Sequence, residues 1–221
     1  MRTIKVTLLS VLIGSSVMMT ILCAGQHSPL SSPKGGRWVF GAAIALAVYG
    51  FAGCFVVRSA KTSQFADKIL WGGIVGAIIQ MIHMSLEAFG SHVGDRPGIT
   101  VIFMSATFAV WFAIGIWSSV TNLSVRYAPI AGALSAMLTM SIAVAFGLLL
   151  TLLGFPDDAY VRGWPEFIQS GWKDPRAFTI ANSFDAIVSH FLIGPVMGAL
   201  LGGLGGGFII LFRWMQPRDT R

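Results

Sequence analysis

The chain has 221 residues, of which 55% are hydrophobic and only 11% are charged. Soluble domains carry about 25% charged residues, so this composition and a mean hydropathy of +0.75 exclude an ordinary water-soluble protein. The 15 Lys and Arg residues outnumber the 9 Asp and Glu residues, but they are scattered and form no basic patch with interleaved aromatic residues, so nucleic acid is not an expected partner.

Six apolar runs are long enough to cross the lipid bilayer, because a helix of about 20 residues spans its hydrocarbon core. They predict an all-α, polytopic membrane helix bundle, a single transmembrane domain over residues 1–221. The predicted spans are residues 4–25, 38–57, 69–89, 99–120, 129–155 and 184–213. The first run could be a cleaved signal peptide, but its length exceeds the roughly 7–15 residues of a signal core, and a retained span is preferred.

The distribution of Lys and Arg predicts the orientation of the bundle. Cytoplasmic loops carry an excess of these residues. With the N-terminus inside, nine of them fall on the cytoplasmic side and six on the other. This count favours an N-in/C-in topology, and we expect a multi-pass protein of a bacterial inner membrane.

Residues 156–183 then form an extracytoplasmic loop rich in aromatic residues, which favour the headgroup layer. Within this loop, Asp174 and Pro175 are typical of the cap and first turn of a helix. That helix is expected either to lie on the membrane surface or to run directly into the last span.

The last span carries glycines four residues apart, a glycine zipper formed by Gly194, Gly198, Gly202 and Gly206. Small residues at this spacing form a stripe that lets another backbone approach closely. We therefore expect the helix of residues 182–213 to pack tightly, in a homo-oligomer or against other membrane subunits. Gly205 should lie on a different face, about 60° from Gly202, and should tolerate a larger side chain. Pro195 is expected to kink the helix and help shape a cavity below His190.

Five polar residues in two spans are candidates for a binding site. Gln80, His83 and Glu87 share one face of the third span, and the last span contributes Asp185 and His190. At 1.5 Å per residue, His83 and His190 lie about 9 and 10 Å from the outer boundary. Since ionisable groups in lipid must face protein or water, these residues predict an outward-facing polar site. Alternatively, the histidines are only hydrogen-bond partners between helices.

Three chemistries suit this group. His83 and His190 could ligate one haem b or a transition metal, or the acids and histidines could take up a proton or cation. No phosphate-binding loop, nucleophile elbow or zinc-protease motif occurs, so an enzyme is not favoured. We expect a small transport or channel-type protein or a membrane subunit of a larger complex. The alternatives are a redox subunit that binds haem b or quinone through the two histidines, and a non-catalytic scaffold or assembly factor.

Overall fold

The computed structural model describes residues 2–32, 35–57, 66–89, 96–122 and 125–215. Within these ranges the chain is helical without strands, and six helices are long and apolar enough to span a membrane. This confirms the predicted all-α, multi-pass bundle. Several cations that contribute to the predicted orientation, including Lys34, Lys61 and Arg218, lie outside the described residues.

The six long helices are α1 (Arg2–Ala24), α2 (Gly35–Val57), α3 (Ala66–Phe89), α4 (Arg96–Asn122), α5 (Ala128–Leu152) and α8 (Pro175–Met215). Two short helices, α6 (Asp158–Val161) and α7 (Pro165–Ser170), connect α5 to α8, and 3₁₀ turns at Pro29–Ser31 and Val125–Tyr127 precede α2 and α5. One end of the bundle contains the last residues of α3 and α5 and the first residues of α8. We call it the loop end.

Helix α8 has 41 residues and begins nine residues before the predicted last span. Asp174 caps it, since its Oδ1 accepts hydrogen bonds from the backbone N–H groups of Arg176 and Ala177 at 2.9 and 3.3 Å. Pro175 occupies the first turn, where a missing N–H costs no helical hydrogen bond. The helix therefore runs directly into the last span, and the alternative of a separate helix on the membrane surface is wrong.

Helix α5 is the central helix of the bundle. In the most apolar 18-residue stretch of α5, 67% is buried inside the bundle. The corresponding share in the other five long helices is 22–39%. Helices α1, α3, α4 and α8 all pack against α5, and its fully buried residues include Ala131, Ala136 and Ala143. Small side chains on several sides of α5 let neighbouring helices approach closely.

Large apolar side chains cover the outside of the bundle. Phe40 and Phe51 on α2 are 69% and 77% exposed, and Leu192 and Leu204 on α8 are 70% and 63% exposed. A soluble protein rarely exposes apolar patches of this extent. These surfaces are therefore suited to contact with lipid.

The glycine stripe of α8 lies against α5 of the same chain. A Cβ atom built on Gly198 would lie 2.5 Å from the Cβ of Ala136, and one on Gly202 would lie 2.5 Å from the carbonyl oxygen of Ala128. Both distances are too short for a side chain, so the two backbones touch. A second protein chain would have to contact a different face of α8.

Gly205 lies on a different face from Gly202, but this face is buried as well. A Cβ atom there would clash with the carbonyl oxygen of Phe112 and lie 3.0 Å from the backbone nitrogen of Ile116. The expectation that Gly205 tolerates a larger side chain is wrong, because α8 packs against α4 as well as α5. Gly207 is exposed and has no atom within 4 Å of the corresponding Cβ position.

Candidate functional site

A cavity of about 150 Å³ lies between α3, α5 and α8 at the loop end, and we call it the loop-end cavity. Three small residues, Ala88, Gly147 and Ala186, line it, one from each of the three helices. Glu87 and His190 line it from α3 and α8. Its walls are otherwise mostly apolar, so an ionisable pair is concentrated in one small space within the membrane-spanning bundle.

His190 is held in a defined orientation by its own helix. Its Nδ1 lies 2.7 Å from the carbonyl oxygen of Ala186, one turn earlier. Because a carbonyl oxygen only accepts hydrogen bonds, Nδ1 carries the hydrogen and donates it. In the neutral ring the lone pair is then on Nε2, which can take up a proton or accept a hydrogen bond from a solute.

Glu87 connects the loop-end cavity to a polar network between α3 and α4. Its Oε1 lies 3.4 Å from Nε2 of His83, one turn earlier in α3, and accepts a hydrogen bond from Oγ1 of Thr100 at 3.5 Å. The His83 side chain is 6% exposed and that of Glu87 is 43% exposed. His83 does not line the cavity, so it acts on the cavity only through Glu87.

Gln80 shares the predicted face of α3, but it contacts α4 rather than α8. Its Nε2 donates to Oγ1 of Thr107 at 2.8 Å and to the sulfur of Met104 at 3.8 Å. The side chain is fully buried and does not line the loop-end cavity. Gln80 therefore joins two helices inside the bundle and is separate from His190.

Asp185 is not brought into the loop-end cavity. It lines a second cavity, of about 220 Å³, which also includes Arg37 and Trp172. Residues five apart on a helix are rotated by about 140°, so Asp185 and His190 point to different sides of α8. The five predicted residues therefore lie in separate places. Glu87 and His190 line the loop-end cavity, Asp185 lines the second cavity, and Gln80 and His83 contact α4.

The loop-end cavity also differs from the one predicted near Pro195. Its α8 residues, from Thr179 to His190, all lie on the loop-end side of Pro195, and α8 is a continuous helix through that proline. Pro195 does not line the loop-end cavity.

Shared ligation of a haem or metal by His83 and His190 gains no support from this geometry. Nε2 of His83 lies next to Thr100 and Glu87, and only His190 lines the cavity. Among the described residues, no group of three or more His, Cys, Asp or Glu side chains is arranged to hold a metal ion. The cavity of about 150 Å³ is also smaller than the roughly 300–1,000 Å³ of pockets for drug-sized ligands. A proton, an ion or a very small solute fits it better.

The segment between α5 and α8 covers the loop-end cavity. Phe155, Pro156 and Trp164 line it from this segment, and Phe155 packs edge-on against Phe89 with ring centroids 4.5 Å apart. The predicted loop is shorter than expected, since residues 175–183 belong to α8. Several of its aromatic side chains, including Phe167 and Trp164, pack together in one cluster.

An ion pair that sequence reasoning missed fixes the start of α8. His27, between α1 and α2, places its Nδ1 2.8 Å from Oδ2 of Asp174. Burial raises the pKa of Asp174, but the hydrogen bonds from His27 and from the backbone N–H groups of Ala177 and Arg176 outweigh it and leave that pKa below its usual value. The two residues are 147 positions apart, and no local pattern indicates such a contact.

Two hydroxyl residues that line the loop-end cavity were also missed. Thr151 and Ser183 join α5 to α8 through a hydrogen bond of 2.8 Å between their Oγ atoms. Each hydroxyl also lies within hydrogen-bond distance of the carbonyl of the residue four positions earlier in its own helix. Because each has a single hydrogen, the hydroxyl that donates to the other does not donate to its own carbonyl at the same time. Because Ser and Thr commonly bond in this way inside helices, their presence alone did not mark a site.

No protein-family model, curated protein or solved structure matches this chain. The functional argument therefore depends on the loop-end cavity, its lining residues and the helices that enclose it.

Proposed function

We propose that this chain is a small transport-type membrane protein, acting alone or within a larger complex, that binds a proton or small cation in the loop-end cavity. Glu87 supplies the negative charge and Nε2 of His190 supplies the proton acceptor. The observation that carries the proposal is that these two side chains line one cavity of about 150 Å³. In the N-in/C-in orientation the loop end, with this cavity beneath the segment between α5 and α8, lies on the outer side of the membrane.

The chemistry of the cavity walls supports a cationic solute. Ionisable groups inside membrane proteins are expensive and mark ion and proton pathways. A carboxylate next to a neutral histidine attracts a cation, and the histidine nitrogen can hydrogen-bond to an ammonium or take up its proton. A scaffold or assembly factor would give neither Glu87 nor His190 a function in this position.

The size of the cavity restricts the solute. A cavity of about 150 Å³ is smaller than the roughly 300–1,000 Å³ of pockets that hold drug-sized ligands. A metal ion with part of its hydration shell, ammonium or methylammonium fits this space. Solutes larger than drug-sized ligands, such as peptides, do not fit.

Passage to the other end of the bundle requires the helices to move. Beyond His190, α8 meets α5 with Gly194 against Met140 and with Gly198 against the backbone of Gly132. Packed helices change state by sliding or by rigid-body movement. Transport is therefore expected to depend on a change in the contact between α5 and α8.

Proteoliposomes test the proposal. Proton and methylammonium entry would be followed with an internal pH dye and with labelled solute, and Na⁺ entry with labelled ion. We expect at least one of these cations to enter faster than in protein-free vesicles, and entry to fall at least tenfold in Glu87→Gln and His190→Ala. Gly147→Leu should also block entry, because it fills the cavity without changing a charge; its Cβ position has only ordinary contacts, at 3.6 and 3.7 Å, with Met84.

Glu166→Gln is the matched control, because Glu166 is an exposed acid on α7 that does not line the cavity. It should leave entry unchanged. If none of the three cations enters faster than in protein-free vesicles, or if the three cavity variants transport as well as Glu166→Gln, the proposal is wrong.

A further inference from the structure

The second cavity, which we call the α2–α8 cavity, combines charges of both signs with aromatic walls. It has a volume of about 220 Å³, and Arg37 and Trp38 of α2 face Asp185 of α8 across it. Trp172, from the segment just before α8, and Asn182 also line it. Asn182 lines the loop-end cavity as well, but Arg37, Trp38, Trp172 and Asp185 do not.

The two charges of the α2–α8 cavity do not neutralise each other. The ion pairs of the described residues include neither Arg37 nor Asp185. The guanidinium of Arg37 lies over the ring of Trp38, 4.7 Å from its centroid. Arg37 is exposed and Asp185 is half-buried, so both charges are accessible to a ligand from the headgroup layer or from solution. A ligand that carries a cation and an anion a few ångströms apart would supply a partner to each residue.

The position of the cavity indicates where such a ligand comes from. Arg37 and Trp38 lie in the first turn of α2, at the loop end of the bundle, and tryptophans concentrate where membrane meets water. Next to them on α2, Phe40 and Ile44 are 69% and 47% exposed on the outside of the bundle. A lipid whose headgroup occupied the cavity could lay its acyl chains along this apolar surface.

We propose that the α2–α8 cavity binds an ammonium–phosphate zwitterion, the chemistry of a phosphoethanolamine headgroup. The phosphate lies on Arg37, since a planar guanidinium donates two parallel hydrogen bonds to phosphate oxygens. The ammonium lies on Asp185, since a carboxylate accepts hydrogen bonds from its N–H groups. The ligand is either phosphatidylethanolamine of the membrane or free phosphoethanolamine from solution.

This assignment predicts discrimination between phospholipids. Phosphatidylglycerol has the same phosphate but no ammonium, so its binding would leave Asp185 without a partner and next to a negative headgroup. A hydrogen bond to a charged group contributes about 1.5–3 kcal/mol, which corresponds to a preference of at least about tenfold for phosphatidylethanolamine.

Native mass spectrometry of the purified protein tests the inference, using detergent micelles with equal amounts of phosphatidylethanolamine and phosphatidylglycerol. The wild type should retain phosphatidylethanolamine about ten times more often. Asp185→Asn should reduce this ratio to near one, and Arg37→Gln should weaken the binding of both lipids. Asp185→Glu keeps the carboxylate and should keep the preference. The exposed residues Arg162 and Glu166, between α5 and α8, provide matched controls, and Arg162→Gln and Glu166→Gln should behave like the wild type.

Free phosphoethanolamine separates the two sources of the ligand. If it displaces the lipid at millimolar concentration, the site binds the soluble zwitterion; if only phosphatidylethanolamine binds, the ligand is the lipid. Both results support the assignment, provided that Asp185→Asn abolishes the selective binding. Equal retention of the two lipids by the wild type without binding of free phosphoethanolamine, or an undiminished preference in folded Asp185→Asn, would overturn it.

Discussion

His190 and Ala186 are joined by a hydrogen bond of 2.7 Å from the imidazole Nδ1 to the backbone carbonyl one turn earlier in α8. This bond fixes the tautomer, so that the neutral ring has its lone pair on Nε2. It also sets the direction of the ring in the wall that α8 contributes to the loop-end cavity. Glu87 reaches the same cavity from α3 while it contacts His83. These two side chains are the centre of the functional account.

Leucine substitutions in α8 should destabilise the protein on the packed faces of the helix and be tolerated on its open face. Gly198→Leu and Gly205→Leu force side chains into the backbones of α5 and α4, where a Cβ already has no room. Overpacking of this kind costs about 1–3 kcal/mol or more. Gly207→Leu, at a position with open space, should be tolerated.

Thermal unfolding in detergent, with the size of the particle as a second readout, measures the effect of these substitutions. If Gly207→Leu is as damaging as Gly198→Leu, the packing of α8 against α5 is not the reason for the glycines. Tolerance of Leu at Gly205 would contradict the close contact with α4.

The hydroxyl of Thr139 should stabilise the centre of the bundle. It donates to the carbonyl of Gly73 on α3 at 3.2 Å and accepts from Nε1 of Trp111 on α4 at 3.4 Å. Thr139→Val keeps the shape but leaves the buried indole N–H without this acceptor, and we expect a loss of about 0.5–2 kcal/mol, the range for hydrogen bonds between membrane helices. Thr139→Ser keeps the hydroxyl and should retain more of the stability. Equal unfolding free energies for Val and Ser would show that the hydroxyl contributes nothing.

The contact between His27 and Asp174 should make the start of α8 sensitive to acid. The pKa of Asp174 is lowered in the folded protein because hydrogen bonds from His27 and from the backbone of α8 outweigh the effect of burial. Its stabilising contribution is therefore complete above the unfolded value of about 3.9 and is lost as the pH falls through the lower folded value. The side chains are 53% and 41% exposed, so screening by water keeps the effect small.

Asp174→Asn isolates this titration, because asparagine also caps helices well but does not ionise. We expect the difference in melting temperature between the wild type and Asp174→Asn to change between pH 5 and pH 3, with the wild type losing more stability. Asp174→Ala also removes the cap and should cost about 0.5–2 kcal/mol at neutral pH. A constant difference between the wild type and Asp174→Asn across this range would contradict the lowered pKa.

The orientation of the bundle can be measured with reporter fusions. The N-in/C-in prediction places Gly171 outside and Arg126 inside. A periplasmic reporter should therefore be active after Gly171 and inactive after Arg126, and a cytoplasmic reporter should show the reverse. The opposite pattern would direct the loop-end cavity to the cytoplasm.

Much of the fold could be predicted from run length and hydropathy, since a bilayer requires long apolar helices with satisfied backbone groups. The central position of α5 could not be predicted, because its residues are as apolar as those of lipid-facing helices. Which helices become neighbours depends on how their side chains fit together, and hydropathy does not show this. The four-residue spacing of the glycines predicted a packed face, and Gly198 lies against α5. The second packed face, at Gly205, depends on the position of α4, and the spacing of residues within α8 does not show that position.

The candidate site was predictable only in part. Helix depth predicted Glu87 and His190 in the outer part of their spans, and both residues line one cavity at the loop end. The depth of a residue does not show which side of its helix faces the neighbouring helices. It therefore could not predict that Asp185 and His190 lie on different sides of α8. The contact between His27 and Asp174 depends on the path of the chain outside the spans, and hydropathy contains no information on that path.

Protection of Glu87 from chemical modification tests the central claim most directly. A carbodiimide that reacts with protonated carboxyl groups would be applied to the protein in liposomes at fixed pH and ionic strength, with increasing concentrations of methylammonium or Na⁺, whichever enters faster. Mass spectrometry would follow the modification of Glu87, with the exposed Glu166 as the control within the same sample. We predict that the cation slows the reaction at Glu87 but not at Glu166, that half-protection occurs near the concentration that half-saturates entry, and that His190→Ala weakens the protection at least tenfold. Modification of Glu87 at a rate independent of the cation would contradict the account.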